Sequence, residues 1–452
     1  MKIHFIAIGG SVMHNMALAM HQSGHSVSGS DDEIFEPAKS RLIREGIMPA
    51  ETGWFAEKIH PGLDAVILGM HARDDNPELI RAKVLGLKIY SFPEYIYEQS
   101  KNKIRVVIGG SHGKTTITAM IMHVLHNLQR NFDYMVGAQL EGFETMFRIS
   151  DAPVIILEGD EYLTSTLDRR PKFHLYKPDI ALLSGIAWDH INVFPTFEMY
   201  VDQFRIFINS IEPNGSLIYC EADTILKDIC PEARPDLKLF PYETPSFSIN
   251  QHGITRVTFD ETETEIMVFG KHNLMNLNGA RLVCECLGIS TAEFMQAIST
   301  FKGAAKRLEL IAKNEHTAFY KDFAHSPSKL KATLNAVKEQ FRSRKLIACM
   351  ELHTFSSLNS NFLKEYHGGM EAADVAVVYY SAHALEIKKM PPLSHPLIKD
   401  SFGRSDLLIF TDKVALITYL KTLDWHNQNL LMMSSGGYDG LDFVELGREL
   451  GI

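Results

Sequence analysis

A glycine-rich loop in the first third of the chain has the residue types that bind phosphate groups. It follows an apolar run at 104–108 and precedes apolar residues at helical spacing between Ile117 and Leu128. Glycines let backbone N–H groups close around phosphate oxygens, and the lysine and threonine reach the terminal phosphates and Mg²⁺. Ile108 replaces the first glycine of the general pattern, so this is a variant loop, and a chance glycine-rich turn is the alternative. The loop consists of Gly110, Ser111, His112, Gly113, Lys114, Thr115 and Thr116.

Two other positions carry groups that could hold a metal ion beside this loop. Glu158 directly follows the apolar run 154–157, and Mg²⁺ prefers the oxygen ligands that a carboxylate at a strand end supplies. Considered alone, an acidic cluster after a strand is more typical of a solvated loop, and the neighbouring glycine-rich loop is what favours a metal site. His190 lies just beyond the apolar run 180–183, where Asp189 could orient its imidazole, and a structural histidine is the alternative.

A second glycine turn lies near the N-terminus. Gly9 and Gly10 follow the first apolar run, and Asp31 closes the next one, an arrangement similar to a dinucleotide-binding fingerprint. Ala7 and Met13 occupy two of its glycine positions, so a nicotinamide-dependent oxidoreductase is a remote alternative. A nucleotide or diphosphate at this helix N-terminus and a tight turn without a ligand both agree with the spacing.

Strand, turn and helix alternate along the chain, which predicts an α/β fold with parallel sheets. At 452 residues, the chain has room for about three domains of roughly 150 residues each. We place them at 1–102, 103–302 and 303–452. Alternating residues around 240–270 predict an antiparallel β excursion, and a helix is predicted over 273–287. The predicted strands are 3–8, 26–30, 66–68, 104–108, 154–157, 180–183, 318–320, 346–350, 375–380, 407–410 and 430–433.

Charge and composition exclude several classes of protein. The chain has 45 basic and 55 acidic residues, a net charge of −10, so we expect no nucleic-acid partner. Its longest apolar runs have about the length of strands, well short of the roughly 18 residues that span a bilayer, so we expect no membrane insertion. The N-terminal residues are predicted as a strand and not as a signal peptide. Five cysteines without zinc spacing indicate a reduced, cytoplasmic protein.

Together these residues resemble the Mur ligase family, the ATP-dependent amide-forming enzymes of bacterial cell-wall synthesis. The loop 110–116, the stretch 158–161 and the pair 189–190 are similar to the family's phosphate loop, magnesium motif and Asp-His motif. Three later stretches continue in family order. They resemble an adenine-associated segment (270–276), a basic phosphate-contacting stretch (301–309) and a motif of the third domain (322–327).

The resemblance implies an α/β fold with three domains. A Rossmann-like N-terminal domain would bind the UDP substrate, a P-loop ATPase-type central domain would bind ATP, and a Rossmann-like C-terminal domain would bind the amine substrate. Two departures from the family pattern limit what can be transferred. Ser184 and Gly185 stand where many members have Thr-Asn, and Lys306 replaces the first arginine of a pair, so Arg307 is the safer assignment.

The resemblance also implies roles for individual residues. Lys114, Glu158, His190 and Arg307 form the implied catalytic set, and Thr115, Glu158 and His190 would bind Mg²⁺. The implied ATP contacts are Gly110, Ser111, His112, Gly113, Lys114, Thr115, Thr116, His272, Asn273, Asn276, Arg307 and Asp322. The implied UDP-substrate contacts are Gly9, Gly10, Ser11, Ser30 and Asp31.

His112 resembles the family members that act directly on UDP-N-acetylmuramate, whose second substrate is an amino-acid or peptide amine. Tyr162, the run 168–173, the pair Asp322-Phe323 and the shortness of the chain favour a recycled tripeptide as that substrate. L-alanine is the alternative. A non-catalytic ATP-sensing protein on the same scaffold is an alternative of another class. The sequence carries no signal of oligomeric state.

Overall fold

Parallel strands alternate with helices along most of the chain, in agreement with the α/β class predicted from the sequence. The computed structural model describes residues 1–70, 72–165, 167–188, 193–250, 253–260, 262–303 and 308–452. The chain divides into two compact units, of which the first contains Met1–Pro245 and Met275–Ile298. The second contains Ser246–Leu274 and Ser299–Ile452. No helix in these described ranges is both long enough and apolar enough to cross a bilayer.

The N-terminal sheet of the first unit is built from strand–helix repeats. Its elements are β1 (Lys2–Ile6), α1 (Ser11–Gln22), β2 (Ser26–Ser30), α2 (Ala38–Arg44), β3 (Ala65–Leu68), α3 (Pro77–Val84), β4 (Ile89–Ser91) and α4 (Phe92–Ser100). The strands run parallel in the order β2-β1-β3-β4. Every residue of β3 is buried, as expected for a parallel strand that is covered on both faces. β1 ends before the predicted 3–8 because Ala7 has a left-handed conformation.

The central sheet of the first unit carries the glycine-rich loop. Its elements are β5 (Ile104–Gly109), α5 (Lys114–Asn127), β6 (Asp133–Met135), β7 (Phe147–Arg148), β8 (Val154–Glu158), β9 (Ile180–Leu183), α6 (Phe197–Asn209), β10 (Ser216–Cys220), α7 (Thr224–Ile229) and β11 (Lys238–Tyr242). Their order is β11-β10-β9-β5-β8-β6-β7, and β7 runs antiparallel to β6. The apolar stripe predicted for α5 is buried, at Ile117, Met120, Ile121, Val124 and Leu125.

A separate antiparallel sheet begins the second unit. It consists of β12 (Ser246–Ile249), β13 (Thr255–Phe259) and β14 (Thr262–Ile266), which pair in chain order. This confirms the antiparallel excursion predicted around residues 240–270, although β11, in the same window, pairs parallel with β10. Next in the chain come the helices α8 (Lys271–Cys286) and α9 (Thr291–Ile298), which from Met275 onward belong to the first unit. The bounds of α8 agree with the helix predicted over 273–287.

The second sheet of the second unit is parallel except at one edge. Its elements are β15 (Glu309–Lys313), β16 (Ala318–Asp322), α10 (Pro327–Gln340), β17 (Lys345–Glu351), β18 (Val375–Tyr379), α11 (Ala382–Ile387), α12 (His395–Phe402), β19 (Leu408–Phe410), α13 (Lys413–Lys421), β20 (Gln428–Met433) and α14 (Phe443–Glu449). The order is β15-β16-β20-β17-β18-β19, and β15 is antiparallel to β16. Leu346 and Met350 of β17 join one buried apolar cluster, whereas Ile347 and Cys349 join another, so both faces of this strand are covered.

A buried polar pair connects elements of the N-terminal sheet. His4 Nε2 lies 3.1 Å from Glu78 Oε2, and neither side chain is exposed to solvent. His4 Nδ1 lies 2.9 Å from Ser28 Oγ, and the Phe55 N–H donates to Glu78 Oε1 at 2.8 Å. Burial alone raises the pKa of Glu78, but the hydrogen bonds from His4 and Phe55 bring it below its ordinary value. The Glu78 carboxylate of α3 is thus bonded to His4 of β1 at a position that solvent does not reach.

We predict that Glu78→Ala destabilises the protein by about 1–3 kcal/mol, because His4 and the Phe55 N–H would stay buried without their hydrogen-bond partner. Urea unfolding followed by circular dichroism would measure the change. Lys83→Ala is the matched control, because Lys83 lies on the same helix as Glu78 and its ion pair with Asp74 is exposed. A midpoint for Glu78→Ala equal to that of Lys83→Ala would contradict the prediction.

Candidate functional site

The glycine-rich loop joins β5 to α5 at the carboxyl edge of the central sheet. Gly110 and Gly113 have φ angles of +122° and +79°, in the left-handed region that favours glycine. Gly113 directly precedes α5, so the unpaired N–H groups of the first helical turn point toward the loop. The Ser111 N–H donates to Gly185 O at 2.9 Å and holds the loop against the segment after β9. This is the geometry of an anion-binding helix N-terminus.

Side chains from two other segments pack against the loop glycines. A Cβ atom on Gly113 would lie 2.5 Å from Oδ1 of Asn276, and one on Gly110 would overlap Ser184 Oγ. The Ser184 hydroxyl also donates to the backbone carbonyl of His112. The structure therefore places Asn276, an ATP contact implied by the family resemblance, next to the loop. It also shows that Ser184, which stands where many family members have threonine, is hydrogen-bonded to the loop.

Glu158 ends β8 and reaches the loop from the neighbouring strand, where it is paired with Ile108 of β5. Thr115 Oγ1 donates to Glu158 Oε1 at 2.9 Å, and the Gly137 N–H donates to Oε2 at 2.8 Å. Burial raises the pKa of Glu158 above its ordinary value, and the Gly137 N–H and Lys114 offset this only in part. The hydroxyl and the carboxylate place side by side the hard oxygen atoms that Mg²⁺ prefers.

Lys114 lies between the loop and a group of carboxylates. Its Nζ donates to Glu161 Oε2 at 2.6 Å and to Gly110 O at 2.7 Å. Burial lowers the pKa of Lys114, but Glu161 and Asp160 together raise it above its ordinary value. Burial also raises the pKa of Asp160, yet its ion pair with Lys172 and the nearby Lys114 bring that pKa below its ordinary value. Lys114 is therefore a cation at neutral pH, beside a loop suited to an anion.

Two residues predicted to take part in the chemistry, His190 and Arg307, lie outside the described residues, as do their neighbours Asp189 and Lys306. In the part of the chain that the structure describes, no group of three or more His, Cys, Asp or Glu side chains is arranged to hold a metal ion. The described oxygen donors are those of Thr115 and Glu158, a set that fits an ion whose coordination is completed by phosphate oxygens and water.

The N-terminal glycine turn has a carboxylate in front of it. The Gly9 N–H donates to Asp31 Oδ2 at 2.7 Å. Ala7, at a position where the dinucleotide fingerprint has glycine, has a φ of +68° and so adopts the glycine-type conformation with a side chain present. Burial is the main cause that raises the pKa of Asp31 to about 6, and the neighbouring Asp32 also raises it. The hydrogen bond from the Gly9 N–H acts in the opposite direction.

The other residues predicted for the UDP substrate lie around the same turn. Gly10 directly precedes α1, and Ser11, its first residue, is exposed. Ser30 is buried, and its hydroxyl accepts a hydrogen bond from Lys58 Nζ at 3.0 Å. Lys58 was not predicted, because it lies far from the turn in sequence and belongs to no motif. The structure thus collects the predicted UDP contacts, together with one cation, at one end of the N-terminal sheet.

The remaining predicted ATP contacts belong to the second unit. The Asn273 side-chain amide donates to Phe269 O at 2.9 Å, and burial lowers the pKa of His272 to about 4, so its imidazole is neutral at physiological pH. Asp322 ends β16 and accepts from the Leu308 N–H at 2.5 Å. These side chains are largely engaged within their own unit.

Tyr200 is a residue of the site that sequence reasoning missed. Its side chain is fully buried in α6, and its hydroxyl lies 2.8 Å from Ser111 Oγ and 3.2 Å from Glu161 Oε1. Apolar residues at helical spacing surround it in the sequence, so it resembles any other core aromatic. Glu161 was recognised as part of a motif, but no role was assigned to it.

Two protein-family models match this chain. The family model described as "Mur ligase family, catalytic domain" matches residues 2–103, and the model described as "Mur ligase middle domain" matches residues 108–284. The second match contains the glycine-rich loop, Glu158 and Asn276.

Individual relatives fall into two groups. The UDP-N-acetylmuramate–L-alanine ligase of Caldicellulosiruptor bescii is 31% identical over 389 residues, covering 83% of each chain. The UDP-N-acetylmuramate–L-alanyl-γ-D-glutamyl-meso-2,6-diaminoheptandioate ligase of Haemophilus influenzae is 25% identical over 462 residues, covering 97% of each chain. The corresponding Escherichia coli enzyme is 24% identical and covers 98% of this chain and 96% of its own.

Solved structures show the same fold. The murein peptide ligase of Psychrobacter arcticus superposes with a TM-score of 0.63 at 22% identity, covering 100% of this chain and 99% of that one. The UDP-N-acetylmuramate–alanine ligase of Thermotoga maritima gives a TM-score of 0.66 at 22% identity, covering 100% and 98%.

We predict that Asp31→Asn stabilises the protein at pH 8 but not at pH 4. Because folding raises the pKa of Asp31 to about 6, the stability it contributes is fully present below about pH 4 and is lost as the pH rises through 6. The asparagine oxygen still accepts from Gly9, so the variant should gain about 3 kcal/mol at pH 8, the equivalent of the rise in pKa. Thermal unfolding at both pH values tests this, with the exposed Asp74→Asn as control. An equal shift at pH 4 and pH 8 would contradict it.

Proposed function

This chain belongs to the Mur ligase family, the ATP-dependent amide-forming ligases of peptidoglycan synthesis, and we propose that its second substrate is a tripeptide. The reaction joins the lactyl carboxylate of UDP-N-acetylmuramate to the free amine of L-alanyl-γ-D-glutamyl-meso-diaminopimelate, a step of peptidoglycan recycling. The observation that carries this proposal is the extent of the match. The two tripeptide ligases align with 97% and 98% of this chain, and the L-alanine ligase with 83%.

The second candidate is an L-alanine ligase on the same UDP-N-acetylmuramate substrate. It is favoured by sequence identity, which is 31% to the L-alanine ligase of C. bescii and 25% to the tripeptide ligase of H. influenzae. Both candidates require the same ATP chemistry and differ only in the amine.

In this proposal ATP places its terminal phosphates against the loop between β5 and α5. The left-handed glycines, the N-terminal turn of α5 and the cationic Lys114 together supply N–H donors and positive charge to an anion. Asn276 packs directly against Gly113 and would contact the nucleotide from the other side. His272, Asn273 and Asp322 remain proposed ATP contacts from the second unit.

The chemistry requires activation of a carboxylate, which is a poor electrophile. A lactyl carboxylate oxygen attacks the γ-phosphorus of ATP, ADP leaves, and an acyl phosphate forms. The substrate amine then attacks the acyl carbon, loses a proton, and inorganic phosphate leaves. Phosphoryl transfer depends on positioning and on neutralising charge. Lys114 supplies that charge among the described residues, and Arg307 is proposed to supply more.

Thr115 and Glu158 would hold Mg²⁺ together with His190. The ion, when bound, neutralises charge on the phosphates and on the attacking carboxylate. The protein's own contribution is to keep the Thr115 hydroxyl and the Glu158 carboxylate adjacent, and the Gly137 N–H fixes the second oxygen of Glu158.

We also propose a division of labour along the chain. Residues 1–102 bind the UDP substrate, 103–302 bind ATP, and 303–452 bind the amine substrate and complete the ATP site. The proposed location of the protein is the cytoplasm, where UDP-N-acetylmuramate and ATP are both available to it.

Lys114→Ala should lower ADP release by roughly 100-fold or more, because the transferring phosphoryl group loses the positive charge that the loop lysine is proposed to supply. A coupled ADP assay with UDP-N-acetylmuramate and tripeptide measures this. Lys101→Ala, which removes an exposed lysine elsewhere in the same unit, is the control and should retain full activity. Undiminished turnover in Lys114→Ala would overturn the assignment of the loop to ATP.

ADP release with the tripeptide should exceed that with L-alanine by about 100-fold in kcat/KM, because a site with polar groups for the longer peptide leaves them unpaired around a smaller amine. Mass spectrometry of the product identifies the amide that forms. A higher kcat/KM with L-alanine would replace the tripeptide proposal by the second candidate.

A further inference from the structure

Tyr200 connects the glycine-rich loop to the carboxylate that pairs with Lys114. Its hydroxyl lies 2.8 Å from Ser111 Oγ, on the loop, and 3.2 Å from Glu161 Oε1. The other oxygen of Glu161 accepts from Lys114 Nζ at 2.6 Å. A single buried hydroxyl therefore contacts both a side chain of the loop and the carboxylate that accepts from Lys114.

The direction of the hydrogen bonds in this network is set by Glu161, the acceptor at its end. The Ala187 N–H donates to Ser111 Oγ at 2.9 Å, and a backbone N–H can only donate. The Tyr200 hydroxyl donates its only proton to Glu161, so its oxygen accepts from the Ser111 hydroxyl, and Lys114 donates to the other oxygen of the same carboxylate. The bonds converge on Glu161 as acceptor, which stabilises a carboxylate whose side chain is only 2% exposed.

We propose that the Tyr200 hydroxyl is a positioning group that determines how readily Lys114 is released to the nucleotide. When a phosphate competes for the lysine, Glu161 must stay buried with fewer donors, and an uncompensated buried charge is costly. Tyr200 supplies a donor that remains in place. Without it, the carboxylate holds Lys114 more strongly and the nucleotide binds less tightly. The inference rests on the proposed seating of ATP at this loop and does not depend on the amine substrate.

The hydroxyl can be tested separately from the ring. The Tyr200 ring packs with Phe194 and Phe204 at centroid distances of 5.5 and 5.3 Å, and Tyr200→Phe keeps these contacts. Tyr242 is the matched control. It is buried at the end of β11 in the same sheet, and its hydroxyl has no hydrogen-bond partner among the residues that the structure describes.

The first experiment measures the affinity of the full-length protein for a nonhydrolysable ATP analogue by calorimetry. Tyr200→Phe should weaken binding by about 10- to 100-fold, the range that a hydrogen bond to a charged group supports. Tyr242→Phe should stay within about twofold of the wild type, and the KM for UDP-N-acetylmuramate should be unchanged in both variants. Wild-type affinity in Tyr200→Phe would overturn the proposal.

A double-mutant cycle with Glu161→Gln tests whether the hydroxyl acts through the carboxylate. Glu161→Gln removes the competing charge, so it should bind the analogue at least as tightly as the wild type. Tyr200→Phe should then change the affinity by less than about twofold in this background, because the two residues act as one unit. Equal losses in both backgrounds would mean that the hydroxyl acts by another route, and would overturn the proposal.

Lys114→Ala distinguishes this inference from the proposed ATP site. If Lys114→Ala binds the analogue as tightly as the wild type, the seating of ATP at the loop is wrong and the Tyr200 proposal fails with it. If Lys114→Ala loses affinity while Tyr200→Phe retains it, the ATP site stands and only the Tyr200 proposal fails.

Discussion

The parallel pairing of β5 with β8 and β9 is the constraint on which the candidate site depends. In these ladders Ile108 is paired with Glu158, and Gly109 is paired with Leu183. The loop, the carboxylate at the end of β8 and Ser184 therefore leave the sheet at the same edge. Parallel neighbours are joined by long crossovers, so groups far apart in sequence are held together by backbone hydrogen bonds and not by local structure.

At this edge of the central sheet, the described carboxylates slightly outnumber the described lysines. Burial makes each unpaired charge costly, so the lysines and carboxylates lie close to one another. Three carboxylates face two lysines among the described residues, namely Glu158, Asp160 and Glu161 against Lys114 and Lys172. The surplus is negative, and burial raises the pKa of Glu158 above its ordinary value. In the proposed ATP complex a triphosphate would add further negative charge here, which a divalent cation would offset.

Sequence reasoning worked best where one physical rule determines both the sequence and the structure. Strands buried on both faces are continuous apolar runs, and β9 has the predicted bounds of 180–183. The loop motif predicted Lys114 and Thr115 together with their helix. Sequence could not predict the bonds of Ser184 and Tyr200, because these join elements that only the folded sheet brings together. Short strands such as β6, which has three residues, form on the edge of a neighbour and leave little pattern of their own.

The two glycine turns of the first unit differ in the charged side chain that contacts them, which is a lysine at the loop after β5 and an aspartate at the turn after β1. At the loop after β5, Lys114 lies beside the glycines, and the helix N-terminus adds partial positive charge. At the turn after β1, the Gly9 N–H already donates to Asp31, whose pKa of about 6 shows that its buried charge is poorly compensated. The N–H group that a phosphate at Gly9 would need is therefore already bonded to a carboxylate. These contacts support the proposal that ATP binds at the loop after β5 and that the turn after β1 contacts the sugar nucleotide.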